Sequence, residues 1–492
     1  MTSGAMTSGT VTSIAVSDAL VGNELGRAGP VRLGFAEGRI ASIASAPEAA
    51  AADRLAIPAP INAHDHGRPL PTTAFGAWGD PLEAWLLRLA VIPGIDPYLA
   101  AAMNLGRLAL GGVAGAMMHY TKPQGFTTLP QEAAEIARAA GDVGLRVGFA
   151  IAMRDRNPIV YGDAAPVLDG LDAPARQIVE GLFGKPFAPI AAQLDLVDAV
   201  AEAVAATGVP HFDVQYGPNG VQWCSDAFLE AIAERSAATG RRVHMHLLET
   251  RYQRTFADRT YPEGVVRRLK AIGLLSPRLT LAHGVHLRDD EMDLLAEAGV
   301  TVSINTSSNL HLKSGIARVA ALIQRGVKVA VGLDGAAFDE DDDMLREMRL
   351  LRALQGGWGF DTEVSPREVL AAAAVNGRAA IGAPAGGTLA VDAPADVLVL
   401  DTRRLDPDAI MDVAPLDLLF ARGAKAHVAD LHVAGRQVVA DGRLTGIDLA
   451  AIETQVRAAY RAAIGGRADY DRIWPAFQTE IARHYRDRLG CC

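Results

Sequence analysis

The chain has 492 residues, 50% of them hydrophobic and 21% charged, with 49 glycines and a formal net charge of -10. This composition excludes disordered and fibrous classes, and a modest acidic balance without a basic block argues against nucleic acid or an anionic membrane surface as the main partner. The length exceeds one ordinary core and suits a barrel of about 250 to 400 residues with a smaller accessory domain.

The first nine residues repeat Met-Thr-Ser-Gly and lack a cationic segment followed by an apolar one, so no signal peptide is expected. No apolar run reaches the roughly 20 uncharged residues of a membrane span. Cysteines are confined to Cys224 and the terminal pair Cys491 and Cys492, which implies no disulfide framework and a reducing, cytoplasmic setting.

From Val11 to Ala56, alternating runs such as Val31-Arg-Leu-Gly-Phe35 and Arg39-Ile-Ala-Ser-Ile43 are divided by turn residues, the pattern of a small antiparallel sheet. Its complement lies near the other end, at Ala395 to Asp401, Ala426 to Ala434 and Arg436 to Gly442. The two ends are therefore expected to build one β-sandwich, from residues 1–58 and 385–446. Residues 59–384 are left for a barrel and 447–492 for a C-terminal helical segment.

The stretch Ile57-Pro-Ala-Pro-Ile-Asn-Ala-His-Asp-His-Gly67 opens the middle of the chain. An apolar run ending in His64-Asp65-His66 predicts a strand with two imidazoles on one face, since residues i and i+2 lie roughly 6.5 to 7 Å apart and point the same way. Alone, His-x-His is a weak signal for metal; a polar loop or a core histidine has the same spelling.

Seven more strand patterns follow, separated by helical ones: Val113 to Tyr120, Arg146 to Met153, Phe212 to Gly217, Arg242 to Leu248, Leu279 to His286, Thr301 to Ser307 and Lys328 to Asp334. Eight strands alternating with helices predict an α/β fold, a parallel (β/α)₈ TIM barrel whose active site lies at the C-terminal strand ends. Those ends carry His244-Met-His246-Leu-Leu-Glu249 on the fifth strand, His283 on the sixth and Asp334 on the eighth. Four separate strand ends bearing His/His, His, His and Asp point to a metal site.

Together with Thr306-Ser-Ser-Asn-Leu-His-Leu-Lys-Ser-Gly315 and the terminal strands, these motifs resemble the amidohydrolase superfamily, in the branch that holds cytosine, guanine and adenosylhomocysteine deaminases and the triazine chlorohydrolases. The resemblance spans nearly the whole chain. It implies that His64, His66, His246 and Asp334 bind a divalent ion, zinc or iron, with Glu249, His283 and Asp334 as the catalytic set. Such a ligand set holds a borderline metal and leaves room for a water to be activated. Asp334 would take the water's proton, His283 would orient water or substrate, and Glu249 would protonate a departing nitrogen.

Relatives with two metals bridge them through a lysine at the end of the fourth strand. Phe212-Asp-Val-Gln-Tyr-Gly-Pro218 contains none, which implies one ion per chain. The acidic Asp65 departs from the resemblance, and orients a ligand or caps the loop. Family members commonly form homo-oligomers, which implies a homodimer or larger.

The loops past the strands offer Trp78, His119 and Trp223 as substrate contacts, and Asn309 and His311 follow the seventh strand. Trp85 reads better as core, within Pro81-Leu-Glu-Ala-Trp-Leu-Leu. The implied function is a hydrolase acting on carbon–nitrogen bonds, which attacks an sp² carbon of a nitrogen heterocycle and releases ammonia or another leaving group. The alternative is hydrolysis of a urea, carbamate or amide C–N bond at the same site. A non-enzymatic scaffold on this barrel would be expected to have lost ligands, and none is missing.

Overall fold

The computed structural model describes residues 12–335 and 341–489. The repeated N-terminal motif, Val11 and the Cys491–Cys492 pair lie outside the described residues.

Among the described residues the central sheet has eight parallel strands in sequential order: Ile61–Asp65, Gly115–Tyr120, Arg146–Met153, Phe212–Pro218, Val243–Leu247, Leu279–His283, Thr301–Ile304 and Lys328–Val331. The amide of Asp334 donates to the carbonyl of His64 at 2.8 Å, so the end of the eighth strand meets the end of the first. This is the (β/α)₈ barrel expected. Most of these strands are buried along their whole length, as parallel strands covered by helices on the outside and packed side chains within must be.

Pro58 and Pro60 divide the opening apolar run. Arg54–Pro58 belongs to a different sheet, of seven strands, where it pairs antiparallel with Val397–Asp401 and parallel with Asp18–Val21. A three-stranded sheet of Thr12–Val16, Val31–Ala36 and Arg39–Ser45 lies over it. Leu33, Phe35 and Ile40 of the smaller sheet share one apolar core with Ala56, Val397 and Val399 of the larger, so chain ends more than 300 residues apart form one β domain.

Buried ions tie that domain to the barrel. Asp396 accepts from Arg146 Nε and Nη2 at 3.0 and 3.1 Å, from Arg378 Nη1 at 2.6 Å and from the amide of Ala434 at 2.7 Å. Burial alone would raise the Asp396 carboxyl, but the two guanidiniums hold it below its ordinary value.

Beyond the β domain, the helix Leu449–Ala463 packs beside Pro97–Leu110, with Arg107 Nη2 and Glu453 Oε1 2.8 Å apart. The last long helix, Ala468–Arg483, reaches the catalytic face: Tyr470, Trp474 and Phe477 pack in one cluster with Leu87, Val160 and Trp223. Among the described residues no helix is long and apolar enough to cross a membrane.

Candidate metal centre and active site

His64 is the penultimate residue of the first barrel strand and His66 follows just past its end, their ring centroids 5.1 Å apart. The fifth strand brings His246 to within 4.8 Å of His64 and 5.4 Å of His66, centroid to centroid. The eighth supplies Asp334, whose Oδ1 lies 3.2 Å from His64 Nε2 and 3.1 Å from His66 Nε2. From the sixth comes His283, its Nε2 3.6 Å from Glu249 Oε2 and 3.9 Å from Asp334 Oδ2. The four proposed ligands and the two further catalytic candidates thus converge on one point.

Backbone turns at the strand ends make this possible. The chain leaves the fifth strand at Leu247, and Leu248 at φ 51° turns it so that the next residue, Glu249, meets His283. His283 at φ 76° and Asp334 at φ 61° adopt the same left-handed conformation, uncommon outside glycine and frequent at functional sites. Glu249 is held by its own amide, which donates to Gln253 Oε1 at 2.8 Å, and by the hydroxyl of Ser314 at 3.1 Å. Thr250 then caps the helix Arg251–Thr260 and donates to Glu83 Oε1 at 2.5 Å.

Each imidazole is pinned through Nδ1. His66 meets the carbonyl of His119 at 2.8 Å, His246 that of Asn219 at 2.9 Å, and His283 the Oδ1 of Asn309 at 2.9 Å. A backbone carbonyl only accepts, so Nδ1 of His66 and of His246 carries the hydrogen and Nε2 keeps its lone pair for the centre, while His283 Nδ1 also faces the amide nitrogen of Asn305 at 3.2 Å. His64 Nδ1 instead meets His244 Nε2, at 2.8 Å.

Burial pushes His64 down to about 4 and His246 well below its ordinary value, so both are neutral at pH 7. Burial would raise Asp334, but neighbouring His64 and His66 keep it well below the usual carboxylate range. Glu249 is pushed by burial up to about 7. One carboxylate is thus fixed as an anion while the other is poised to exchange a proton near neutrality.

The donors fit a divalent ion. His64 Nε2 and Asp334 Oδ1 are buried without a hydrogen-bond partner among the described residues, an arrangement that costs free energy unless something else satisfies them. Two triads each bring their donor atoms within 4.8 Å of one another: His64, His246 and His283, and His64, His66 and Asp334. Neutral imidazoles with one carboxylate suit a borderline metal such as zinc.

Beside these groups opens a cavity of about 290 Å³, with His66, His246, Glu249, His283 and Asp334 at its floor. Leu82, Trp85, Leu86 and Leu89 of the first long helix form one wall, with Leu182, Phe183 and Trp223 also in the lining. Arg68, Lys122, Arg154 and Asn219 complete the lining, so the cavity offers both apolar and hydrogen-bonding surface to a small organic molecule.

Of the substrate contacts expected from sequence, Trp223 lines this cavity; Trp78, His119, Asn309 and His311 lie outside its lining. Trp78 is 55% exposed and packs edge-on against His311, ring centroids 4.1 Å apart. His119 is buried beside His246, with Nε2 on the carbonyl of Gly217 at 3.0 Å. Asn309 braces His283. Trp85 does line the cavity, although its helical spacing reads as core, because the helix that buries one side of the indole presents another to the cavity.

Other residues hold the site, and of these only Asp65 was singled out from sequence. Ser308 donates to Asp334 Oδ2 at 2.6 Å, and Asn62 Oδ1 receives the amide of Leu333 at 2.9 Å. Asp65 takes the amides of His66 and Gly67 on Oδ1, at 2.7 and 2.8 Å, and Asn62 Nδ2 on Oδ2 at 2.8 Å, so it caps the loop that carries the second imidazole. Ser308 stood in plain view within Thr306-Ser-Ser-Asn, but nothing in that spelling says which hydroxyl faces the eighth strand.

Comparison with known proteins matches residues 55–444 to the amidohydrolase family. The 5-methylthioadenosine/S-adenosylhomocysteine deaminase of Nitratidesulfovibrio vulgaris is 34% identical over 288 residues, 56% of this chain and 63% of that protein. The 5'-deoxyadenosine deaminase of Methanothermobacter thermautotrophicus is 31% identical over 399 residues, 78% of this chain and 84% of that one. Against several other such relatives the match spans about half of their length.

Among solved structures, an adenosine deaminase from Xanthomonas campestris with bound zinc superposes with a TM-score of 0.73 at 22% identity, covering 92% of this chain and 98% of its own. Atrazine chlorohydrolase from Arthrobacter aurescens, complexed with zinc, gives 0.72 at 20% identity, with 91% and 99% covered. At these identities the likeness shows the fold.

Proposed function

Since the chain belongs to the amidohydrolase family, we propose that it is a metal-dependent aminohydrolase that removes an exocyclic amine, or a comparable leaving group, from an sp² carbon of a nitrogen heterocycle. The observation that carries this reading is the convergence of three imidazoles and Asp334 on one point, with Glu249 and His283 beside them, all lining one cavity with aliphatic and aromatic side chains, save the buried His64. The deaminase relatives support the same reaction class and make purine nucleosides the first substrates to try.

In this proposal His64, His66, His246 and Asp334 hold one divalent ion per chain, zinc before iron. When bound, the ion supplies a Lewis-acidic centre that brings water toward deprotonation near neutral pH. Asp334, anionic and steadied by Ser308, accepts that proton through Oδ2. His283, braced at Nδ1 by the side-chain amides of Asn309 and Asn305, turns Nε2 toward water or substrate. Glu249, poised near 7, delivers a proton to the departing nitrogen. Trp223 and Trp85 flank the ring, and the leucines of the helix Leu82–Leu89 exclude bulk water.

We place the protein in the cytoplasm as a homodimer or larger homo-oligomer acting on a small molecule, with neither nucleic acid nor membrane as a partner. The domain limits drawn from sequence, 1–58 with 385–446, 59–384 and 447–492, belong to the same proposal.

Ammonia release from zinc-loaded protein, across adenosine derivatives, guanine, pterins, pyrimidines, triazines, aryl ureas and carbamates, tests the reading. Turnover of an aminated heterocycle is expected. Turnover confined to ureas or carbamates would overturn it in favour of acyclic C–N hydrolysis.

A further inference from the structure

His66 and His246 share a device that His64 lacks. Their Nδ1 hydrogens go to backbone carbonyls, which accept and never donate, so their tautomers are fixed whether or not an ion is present. His64 Nδ1 faces an imidazole nitrogen, His244 Nε2, at 2.8 Å, and the two rings lie within 10° of parallel. Two ring nitrogens at that distance share one hydrogen. If it sits on His64 Nδ1, His64 Nε2 is a bare lone pair; if it sits on His244 Nε2, a neutral His64 must carry its hydrogen on Nε2, aimed into the cluster.

His244 is fully buried, and its other nitrogen, Nδ1, has no hydrogen-bond partner among the described residues. Nothing around that atom therefore settles which tautomer His244 adopts. His244 is on the fifth strand two residues before His246 and on the same face, so the strand that carries one imidazole to the centre carries the support of another beneath it.

We propose that His244 is a positioning residue: its Nε2 accepts the hydrogen of His64 Nδ1 and so holds His64 in the tautomer and orientation that present Nε2 to the ion. The proposal rests on the metal-site reading above. A ligating histidine gives its second nitrogen to a carboxylate, a carbonyl or water in most sites, and loss of that partner weakens metal binding by about 10- to 100-fold. An imidazole in that place adds no negative charge to the centre. His244 is thereby matched to a site that already holds one carboxylate as a ligand and a second, Glu249, close by.

The test uses full-length wild type, His244→Phe and His244→Gln. Phenylalanine keeps a ring and removes the acceptor; glutamine restores an amide oxygen near the place of Nε2. Zinc affinity is read by competition with a chromophoric chelator, and the rise in Tm on adding zinc to metal-free protein is read alongside it. His244→Phe is expected to bind zinc about 10- to 100-fold more weakly and to lose much of the zinc-induced rise in Tm, with His244→Gln recovering most of both. A merely structural role would lower the metal-free Tm and leave the zinc-induced rise intact, which would overturn the proposal. So would wild-type affinity in His244→Phe.

Should the variants fail to fold, ¹⁵N-histidine spectra of zinc-loaded wild type decide the matter. A hydrogen on His64 Nδ1 coupled to an unprotonated His244 Nε2 supports the assignment, and a hydrogen on His244 Nε2 overturns it. If wild type itself takes up no zinc, the metal-site reading fails first and this role falls with it, an outcome distinct from a wild type that binds zinc beside an unaffected variant.

Discussion

His64 Nε2 and Asp334 Oδ1 stand 3.2 Å apart, delivered by the first and eighth barrel strands, and each is buried without a hydrogen-bond partner among the described residues. The backbones beneath them are already joined, Asp334 amide to His64 carbonyl at 2.8 Å. Two side chains so close, so dry and so poorly satisfied are costly to a fold on its own account. A bound divalent ion would recover that cost, and we propose the closing seam of the barrel as part of the metal seat.

The Arg146–Asp396–Arg378 cluster joins the barrel to the β domain in a buried setting. Asp396→Asn leaves two buried guanidiniums without a counter-charge, and breaking a buried pair in this way costs about 3 to 5 kcal/mol. A clear fall in Tm by differential scanning calorimetry is expected, and an unchanged Tm would mean that the cluster is not what locks the two parts together.

Removing residues 1–55 takes away Asp18–Val21, the whole of the smaller sheet and the first two residues of the strand that pairs with Val397–Asp401. That leaves the apolar face of Val397 and Val399 uncovered. The truncated chain is expected to aggregate or to melt far below wild type. A truncated protein that is soluble and turns over substrate normally would show that the barrel does not depend on the shared sheet.

Glu347 is 2% exposed and accepts the amide of Ser307 at 3.0 Å behind the seventh strand. Burial pushes its carboxyl up from 4.5 to about 7. The folded state therefore holds this proton more tightly than the unfolded chain does. Its contribution to stability is fully present below pH 4.5 and is lost as pH rises through 7. Glu347→Gln keeps the acceptor and cannot ionise, so its unfolding free energy is expected to match wild type near pH 4.5 and exceed it at pH 8, by on the order of 3 kcal/mol at most. A gap between the two proteins that does not change with pH would contradict this.

Much of the barrel was legible because apolar runs turning polar at their C-terminal ends are a one-dimensional signal. Arg146–Met153 was read to the residue, and the site histidines lie where such runs stop. The first strand was read as longer than it is, since an apolar run interrupted by Pro58 and Pro60 does not reveal that its two halves serve different sheets. The supports of the site were harder to see. Which carbonyl meets His66 Nδ1, or which serine meets Asp334, depends on loops brought together by the closure of the barrel, and a polar residue at a helix start has many local uses. Trp85 is the core residue its helical spacing reads, 2% exposed in a cluster with Ala77, Leu82 and Leu312, and it lines the cavity as well.

The central claim is that His64, His66, His246 and Asp334 seat one ion while Glu249, three residues past His246, carries a proton. Divalent metal per chain, determined by atomic emission on wild type, His246→Ala and Glu249→Gln purified side by side, tests it most directly. The account predicts about one ion in wild type, a clear deficit in His246→Ala and near-normal content in Glu249→Gln, whose kcat nevertheless falls by about 10²- to 10⁴-fold. Two ions per chain in wild type, or metal lost from Glu249→Gln, would contradict it.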